Sequence, residues 1–177
     1  MSLMIFNKGG DFDITATATT GTDFVVTISA GDKSESYTTA GAASAAATAT
    51  AFVAAHAQDI ADTFKMYLSN SSAVLTFEGV RDCGFAVSGG TLGSADVTTE
   101  LSVDVDQVAQ ILVASAISLT VNMNANVLPS ASDVGTLTFV SAADRKAFMD
   151  KFNAAKFASK NGAGMVDLDL ACKAVFA

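Results

Sequence analysis

Apolar and polar residues alternate along several short stretches of the chain, and this period of two predicts half-buried strands. The pattern begins at residues 12–18, where Phe12, Ile14 and Ala16 alternate with polar neighbours. Further strands are predicted at residues 23–30, 34–39, 73–78, 85–87, 101–105, 117–123, 135–140 and 166–176. The turn signal Gly31-Asp32 joins the second and third of these strands into a hairpin.

A different period predicts the first helix, over about residues 42–68. Its first half is almost entirely alanine and threonine. Its second half has apolar or aromatic residues at every fourth position, namely Phe52, His56, Ile60, Phe64 and Leu68. This spacing is typical of an amphipathic helix with one buried face. The polar run Asn70-Ser71-Ser72 is expected to end it.

A second helix is predicted over about residues 142–159. Ser141 and Asp144 resemble a capping box at its start, with Asp in the place of the usual Glu. Phe148 and Phe152 lie on one side of it, and Asn161-Gly162 is a typical helix end.

Residues 106–115 fit two structures. Val108, Ile111 and Leu112 share one helical face, and Asp106 is a good N-cap, so a short helix is possible. The same segment also extends the alternation of the strands on either side. Helix and strand therefore remain open at this point.

Strand-rich runs broken by single helices indicate an α+β fold with mostly antiparallel sheets. A chain of 177 residues suits one domain over 1–177. A subdivision into 1–90 and 91–177 is also possible, because the composition changes near residues 89–96. The glycine-rich stretch Gly89–Ser94 is interpreted as a flexible turn, since it lacks the lysine of a phosphate loop.

Charge narrows the choice of partners. The net charge is −8, and ten basic residues are scattered along the chain, so neither nucleic acid nor an anionic membrane is an expected partner. The sequence contains neither a signal-peptide pattern nor a continuous apolar span of membrane length. Only 16% of residues are charged, against about 25% in an average soluble domain, which suits a surface partly covered by partners.

Groups that could perform catalysis are scattered. The single histidine, His56, lies in the apolar stripe and is interpreted as a core or interface residue. Cys83 and Cys172 lack the spacing of a zinc motif and are interpreted as buried thiols. The pairs Asp11/Asp13, Asp104/Asp106 and Asp167/Asp169 are interpreted as solvated strand residues, because a calcium loop needs more oxygen ligands. The chain is therefore expected to be no enzyme and to need no cofactor or metal.

Residues 23–88 resemble a ββαββ module of tailed-bacteriophage virion proteins. The resemblance is carried by Phe24-Val25-Val26-Thr27-Ile28, Glu35-Ser36-Tyr37-Thr38-Thr39, the Ala/Thr-rich helix, Ala73-Val74-Leu75-Thr76-Phe77 and Phe85-Ala86-Val87-Ser88. The module occurs in tail, baseplate and head-associated proteins. The resemblance implies a structural role and transfers no catalytic residue.

The expected function is that of a virion structural protein, a capsid decoration or cement subunit made in the bacterial host cytoplasm. Its expected partners are copies of itself and other virion proteins such as the major capsid protein. A tail, neck or baseplate subunit is the first alternative, and a carbohydrate or cell-surface binding module is the second.

Two segments are candidate interfaces. Met4, Ile5 and Phe6 form an apolar arm or, alternatively, an edge strand of the same domain. Ala45, Ala46 and Ala47 belong to a small-residue run that packs either on a neighbouring subunit or on this chain's own sheet.

Overall fold

The computed structural model describes residues 3–6, 10–80, 83–96, 101–124, 134–160 and 171–176. Within these residues there are two α-helices and thirteen strands, eleven of them in three antiparallel sheets and two in a two-stranded ribbon, which confirms the α+β fold rich in antiparallel strands. The chain divides into two compact units, the N-terminal unit Gly9–Thr99 and the C-terminal unit, which combines Met1–Lys8 with Glu100–Ala177. The sequence suggested a subdivision at residue 90, whereas this unit boundary follows Thr99.

The N-terminal unit contains two sheets and one helix. Its strands and helix are β2 (Gly10–Ala16), β3 (Asp23–Ala30), β4 (Lys33–Ala40), α1 (Ala45–Phe64), β5 (Tyr67–Ser71), β6 (Val74–Val80), β7 (Cys83–Ser88) and β8 (Gly90–Asp96). One sheet has the order β5-β6-β2-β8 and the other β4-β3-β7. The predicted hairpin is β3–β4, in which Ala30 pairs with Lys33 across a two-residue turn. Gly31 has a φ of 58° there, a conformation that glycine adopts without strain.

A single apolar core joins both sheets of this unit to α1. Alternate residues of β2, β3 and β6 point into it, and Phe52 of α1 packs edge-on against Phe24 of β3 with 5.1 Å between the ring centroids. The deepest members of this core include Ile14, Phe24, Val26, Ile28, Phe52, Ile60, Leu75 and Phe77. The period of two in the strands and the period near four in the helix therefore place the same kind of side chain in one interior.

Helix α1 is shorter than the predicted 42–68 at both ends. Ser44 is its N-cap, and the Ser44 hydroxyl accepts a hydrogen bond from the Ala47 amide at 3.2 Å. Lys65 ends the helix in the left-handed conformation with a φ of 59°. Leu68, predicted to be helical, lies in β5 and pairs with Phe77. The prediction was wrong there because the sequence fits both structures: Leu68 is four residues from Phe64, as in a helix, and two from Met66, as in a strand.

The interpretation of Gly89–Ser94 as a flexible turn is also wrong. Only Gly89 forms the turn, and residues from Gly90 onward form β8, which pairs with β2. Gly89 has a φ of 72°, and a side chain there would collide with the carbonyl oxygen of Asp23. At this residue the chain crosses from the three-stranded sheet to the four-stranded one.

The C-terminal unit is built from β1 (Leu3–Phe6), β9 (Leu101–Asp104), a 3₁₀ turn (Val105–Gln107), β10 (Val108–Val113), β11 (Ser118–Met123), β12 (Val134–Phe139), α2 (Ala142–Lys160) and β13 (Cys172–Phe176). Strands β1 and β9 form the two-stranded ribbon, and the other four form a sheet of order β10-β11-β12-β13, the C-terminal sheet. The open choice at residues 106–115 is thus resolved in favour of a strand preceded by one tight turn. Residues 166–170 of the predicted final strand lie outside the described residues.

Helix α2 covers one face of the C-terminal sheet. As predicted, it starts after Ser141, whose hydroxyl caps the helix by accepting a hydrogen bond from the Asp144 amide at 3.2 Å, as in a capping box, and also donates to Asp144 Oδ2 at 2.7 Å. Phe148 and Phe152 of α2 pack on Leu119, Val121 and neighbouring buried residues of the sheet. The unit therefore has two layers, a helix on one side of an antiparallel sheet.

Candidate functional site

His56 ties helix α1 to strand β4. Its Nε2 atom lies 3.1 Å from the Thr39 hydroxyl and 3.1 Å from the carbonyl oxygen of Thr38. Its ring packs edge-on against Phe52 at 4.8 Å and in a tilted arrangement against Tyr37 at 5.4 Å. Each neighbour is a backbone, hydroxyl or aromatic group of the same unit, so the arrangement orients the helix.

Tyr37 next to this histidine is a feature that the sequence did not single out. Its side chain is 5% exposed, and its hydroxyl has no hydrogen-bond partner among the described residues. Thr63 and Asp59 lie beside it without hydrogen-bonding geometry. Burial, reinforced by the negative charge of Asp59, raises the pKa of Tyr37 above its ordinary value of 10.0. The phenol therefore stays neutral well into the alkaline range.

The first pair of carboxylates lies within the four-stranded sheet of the N-terminal unit. Asp13 accepts a hydrogen bond from the Thr76 hydroxyl at 2.8 Å, across the β2–β6 pair. Asp11 lies directly opposite Glu78, whose side chain is buried. These residues are built into strand pairs rather than into a loop that could wrap around an ion.

The remaining chemical candidates belong to several different elements of the chain. Asp104 is in β9 and Asp106 is an exposed residue of the 3₁₀ turn, whereas Asp167 and Asp169 lie outside the described residues. Cys83 and Cys172 are thiols in different units. Among the described residues, no group of three or more His, Cys, Asp or Glu side chains could hold a metal ion.

The predicted N-terminal arm pairs within its own chain. Met4 lies opposite Val103 and Phe6 opposite Leu101, with Ile5 between them opposite Ser102, so β1 is one strand of the β1–β9 ribbon. This placement corresponds to the alternative in which the segment is a strand of its own chain.

The predicted alanine interface lies in the first turn of α1. Ala45 and Ala46 are half-buried, whereas Ala47 is exposed. No helix in the described part of the chain is both long enough and apolar enough to cross a membrane.

The largest concentration of exposed aliphatic side chains lies on the C-terminal sheet. Residues alternate between its two faces, and those pointing away from α2 form what we call the outer face. Its central row crosses all four strands through paired residues, in the order Leu112, Thr120, Thr136 and Val175. Leu112 and Val175 are each 45% exposed.

Two further rows flank this one on the outer face. The first consists of Gln110, Asn122 and Val134, and the second of Ser118, Thr138 and Lys173. Lys173 is the one charged residue of the outer face within the described strands. Such a face of aliphatic, threonine and amide groups can bury itself against another protein without desolvating many charges.

Sequence reasoning did not identify this face, although a signal was present. Leu112 and Val113 are adjacent aliphatic residues in a strand, so one of them must point away from the core whichever face is buried. With residues 106–115 open between helix and strand, that consequence could not be drawn.

No family model matches the chain, and neither the curated proteins nor the solved structures contain a match to it.

Proposed function

We propose that this chain is a structural subunit of a tailed-bacteriophage particle, a decoration or cement protein of the capsid. It is made in the cytoplasm of the bacterial host and binds copies of itself and other virion proteins such as the major capsid protein. The outer face of the C-terminal sheet is the observation that carries this proposal. Its action is mechanical, since burying that face between subunits holds neighbouring proteins together.

The size of the outer face explains why many copies are needed. Four strands at about 4.8 Å spacing and five residues at about 3.4 Å rise span roughly 19 Å by 17 Å, or about 320 Å². A stable pairwise interface buries about 800 Å² per partner, so this face alone gives a weak contact. Repetition on a symmetric lattice multiplies such contacts into firm attachment.

The arrangement of the N-terminal unit supports the phage assignment. From Asp23 to Ser88 the chain forms a hairpin, a helix and then three strands, of which β7 returns to pair with β3. The ββαββ module of phage virion proteins that this region resembles has the same order of strands and helix, except that the short strand β5 is additional here. The low share of charged residues, 16%, also suits a protein covered by neighbours.

The test begins with particles purified from a lysate of the bacterium that carries the gene. Quantitative mass spectrometry is expected to find this chain in many copies per particle, and immunogold labelling to place it on the head. Label on the tail or baseplate would favour the tail alternative. Complete absence of the chain from purified particles would contradict both.

The outer face is tested by adding recombinant protein to particles stripped of their own copies. Val175→Asp introduces a charge into the central row, and we expect at least about tenfold weaker binding to particles, equivalent to about 1.4 kcal/mol. Leu92→Asp is the matched control, because Leu92 is 48% exposed and lies on β8 of the other unit. Equal binding by the two variants would show that attachment uses another surface.

A further inference from the structure

The edge strand β10 has an open side that matches a second copy of itself. The C-terminal sheet ends at β10, and within the described part of the chain no strand pairs with its other side. Natural proteins usually protect such edges with a lysine, a proline or a covering element. The exposed edge strand β4 follows this rule, since it carries Lys33 and Glu35. Strand β10, with the sequence VAQILV, has no charge and no proline.

Hydrogen bonds show which backbone groups of β10 are directed outward. The Ala114 amide donates to the Ser118 carbonyl oxygen at 3.1 Å, so the backbone groups of Ala114 face β11. Consecutive residues of a strand direct their backbone groups to opposite sides. Leu112 therefore also faces β11 with its backbone, while the N–H and C=O groups of Ile111 and Val113 are directed away from the sheet.

The beginning of the strand is already protected. A bulge interrupts the register between Val108 and Gln110, and the Lys156 ammonium group donates to the Val108 carbonyl oxygen at 2.9 Å. The open part of the edge is thus limited to a short regular stretch. The two residues whose backbone groups are directed away from the sheet, Ile111 and Val113, are both aliphatic, and Val113 is 64% exposed.

We propose that two copies of the chain pair through β10, antiparallel and about a twofold axis at Leu112, so that two C-terminal sheets become one eight-stranded sheet. This inference rests on the proposed function as an assembly subunit and identifies one of its partners as a second copy. In this register Ile111 faces Val113 of the partner subunit, and Val113 faces Ile111 of the partner subunit. All four outward backbone groups of each copy then gain a partner.

Symmetry and charge both favour pairing of β10 with a second copy in this register. A register centred on Val113 would require Ser115, whose amide already donates to Ser118 in the turn. A register centred on Ile111 would require the bulged segment at Ala109. The chain has a net charge of −8, yet residues 107–132 contain no charged residue, so two copies can meet here without placing like charges opposite each other.

The register predicts a specific cross-link. Leu112 would face its own copy at a non-hydrogen-bonded pair, with about 4.5 Å between the two Cα atoms. That distance lies within the range of a disulfide, about 4.4–6.8 Å. Under mild oxidation, full-length Leu112→Cys is expected to form a disulfide-linked dimer, and mass spectrometry should find the bridge between the two substituted positions. Thr120→Cys is the control, because Thr120 lies in β11, which would be roughly 14 Å (three strand spacings) from β11 of the partner subunit, too far for a disulfide.

Sedimentation over a concentration series tests the association without cysteine chemistry. Leu112→Lys places two positive charges opposite each other at the axis, so we expect the dimer to weaken at least about tenfold. Leu92→Lys, equally exposed in the other unit, is expected to leave the dimer unchanged. Circular dichroism of each variant confirms that it is folded.

A wild-type chain that stays monomeric at about 100 μM, where a dimer with a Kd near 10 μM would be mostly formed, would overturn the pairing. So would a dimer that Leu112→Lys leaves intact, or cross-linking at Thr120→Cys as efficient as at Leu112→Cys. The proposed function is tested separately, by finding the wild-type chain in purified particles. Particles that contain the chain although it does not pair through β10 would leave the function standing and remove this inference alone.

Discussion

Replacing Thr48 with valine tests how the buried start of helix α1 is held to the sheets. The Thr48 side chain is fully buried, and its hydroxyl connects three parts of the chain. It accepts a hydrogen bond from the Ala42 amide at 2.8 Å and donates to the Ala18 carbonyl oxygen at 2.9 Å, with a second acceptor, Ser44 O, at 3.1 Å. Valine has nearly the same shape but can make none of these bonds.

The expected loss of stability follows from these contacts. Each hydrogen bond contributes about 1 kcal/mol, and a buried partner left unsatisfied costs about 1–3 kcal/mol. Valine and threonine have similar helix propensities, so the backbone adds little. We therefore expect Thr48→Val to lower the free energy of unfolding of the N-terminal unit by about 2–4 kcal/mol.

The distribution of tyrosines makes the assay specific to one unit. The chain contains no tryptophan and two tyrosines, Tyr37 and Tyr67, which both lie in the N-terminal unit. Tyrosine fluorescence during urea unfolding therefore reports this unit. With an m-value of about 1–1.5 kcal/mol per molar urea, a loss of about 2–4 kcal/mol is expected to lower the midpoint by about 1.3–4 M.

Thr50→Val is the matched control on the same helix. The Thr50 hydroxyl is exposed and donates to the Ala46 carbonyl oxygen, and Asn70 donates to it at 3.2 Å. Water can replace these bonds, so we expect a change within about 0.5 kcal/mol. Equal effects of the two substitutions, or a loss below about 1 kcal/mol for Thr48→Val, would refute the argument that a buried hydroxyl holds the helix start.

Three further predictions concern other parts of the structure. Phe148→Ala is expected to destabilise the C-terminal unit by about 3–5 kcal/mol in urea unfolding followed by far-ultraviolet circular dichroism, whereas Phe157→Ala, at a site 73% exposed, should change it by less than about 0.5 kcal/mol. Gly41→Ala should cost about 2–4 kcal/mol because its Cβ would collide with the carbonyl oxygens of Thr19 and Thr22, while Gly84→Ala, which meets nothing within 4 Å, serves as the control. Tyr37→Phe is expected to raise stability by about 1 kcal/mol, because it removes a buried hydroxyl without a partner, and a loss of stability would contradict this. Because the pKa of Tyr37 is raised in the folded state, folding is favoured by the neutral phenol fully below pH 10.0 and progressively less as the pH rises through the folded-state pKa. Ultraviolet titration should therefore show a tyrosine transition above pH 10.0 that Tyr37→Phe removes.

Local signals in the sequence predicted the elements that depend on local chemistry. The β3–β4 hairpin follows from two alternating runs around Gly31-Asp32, and the start of α2 follows from Ser141 and Asp144, which bond to each other through the Ser141 hydroxyl. Such signals need no knowledge of the rest of the fold, because a turn or a cap is satisfied by its own neighbours.

Features that depend on distant contacts were not predictable in this way. Leu68 fits both a helix and a strand, and its pairing with Phe77 decides for the strand. The outer face requires knowing that Leu112, Thr120, Thr136 and Val175 share one row, which only the register of four strands establishes. Likewise, the burial of Tyr37 depends on how α1 packs over β4, since the strand pattern alone gives no hydroxyl environment.

The β1–β9 ribbon makes the C-terminal unit discontinuous in sequence, and this sets an order of events during synthesis. Strand β1 leaves the ribosome before its partner Leu101–Asp104, whereas the N-terminal unit between them is contiguous and can fold as it emerges. Folding of that unit places Asp11 opposite Asp96, near its two ends, and so replaces a long flexible loop with a short one. Because loop closure costs more entropy for longer loops, folding of the N-terminal unit lowers the entropy cost of pairing β1 with β9.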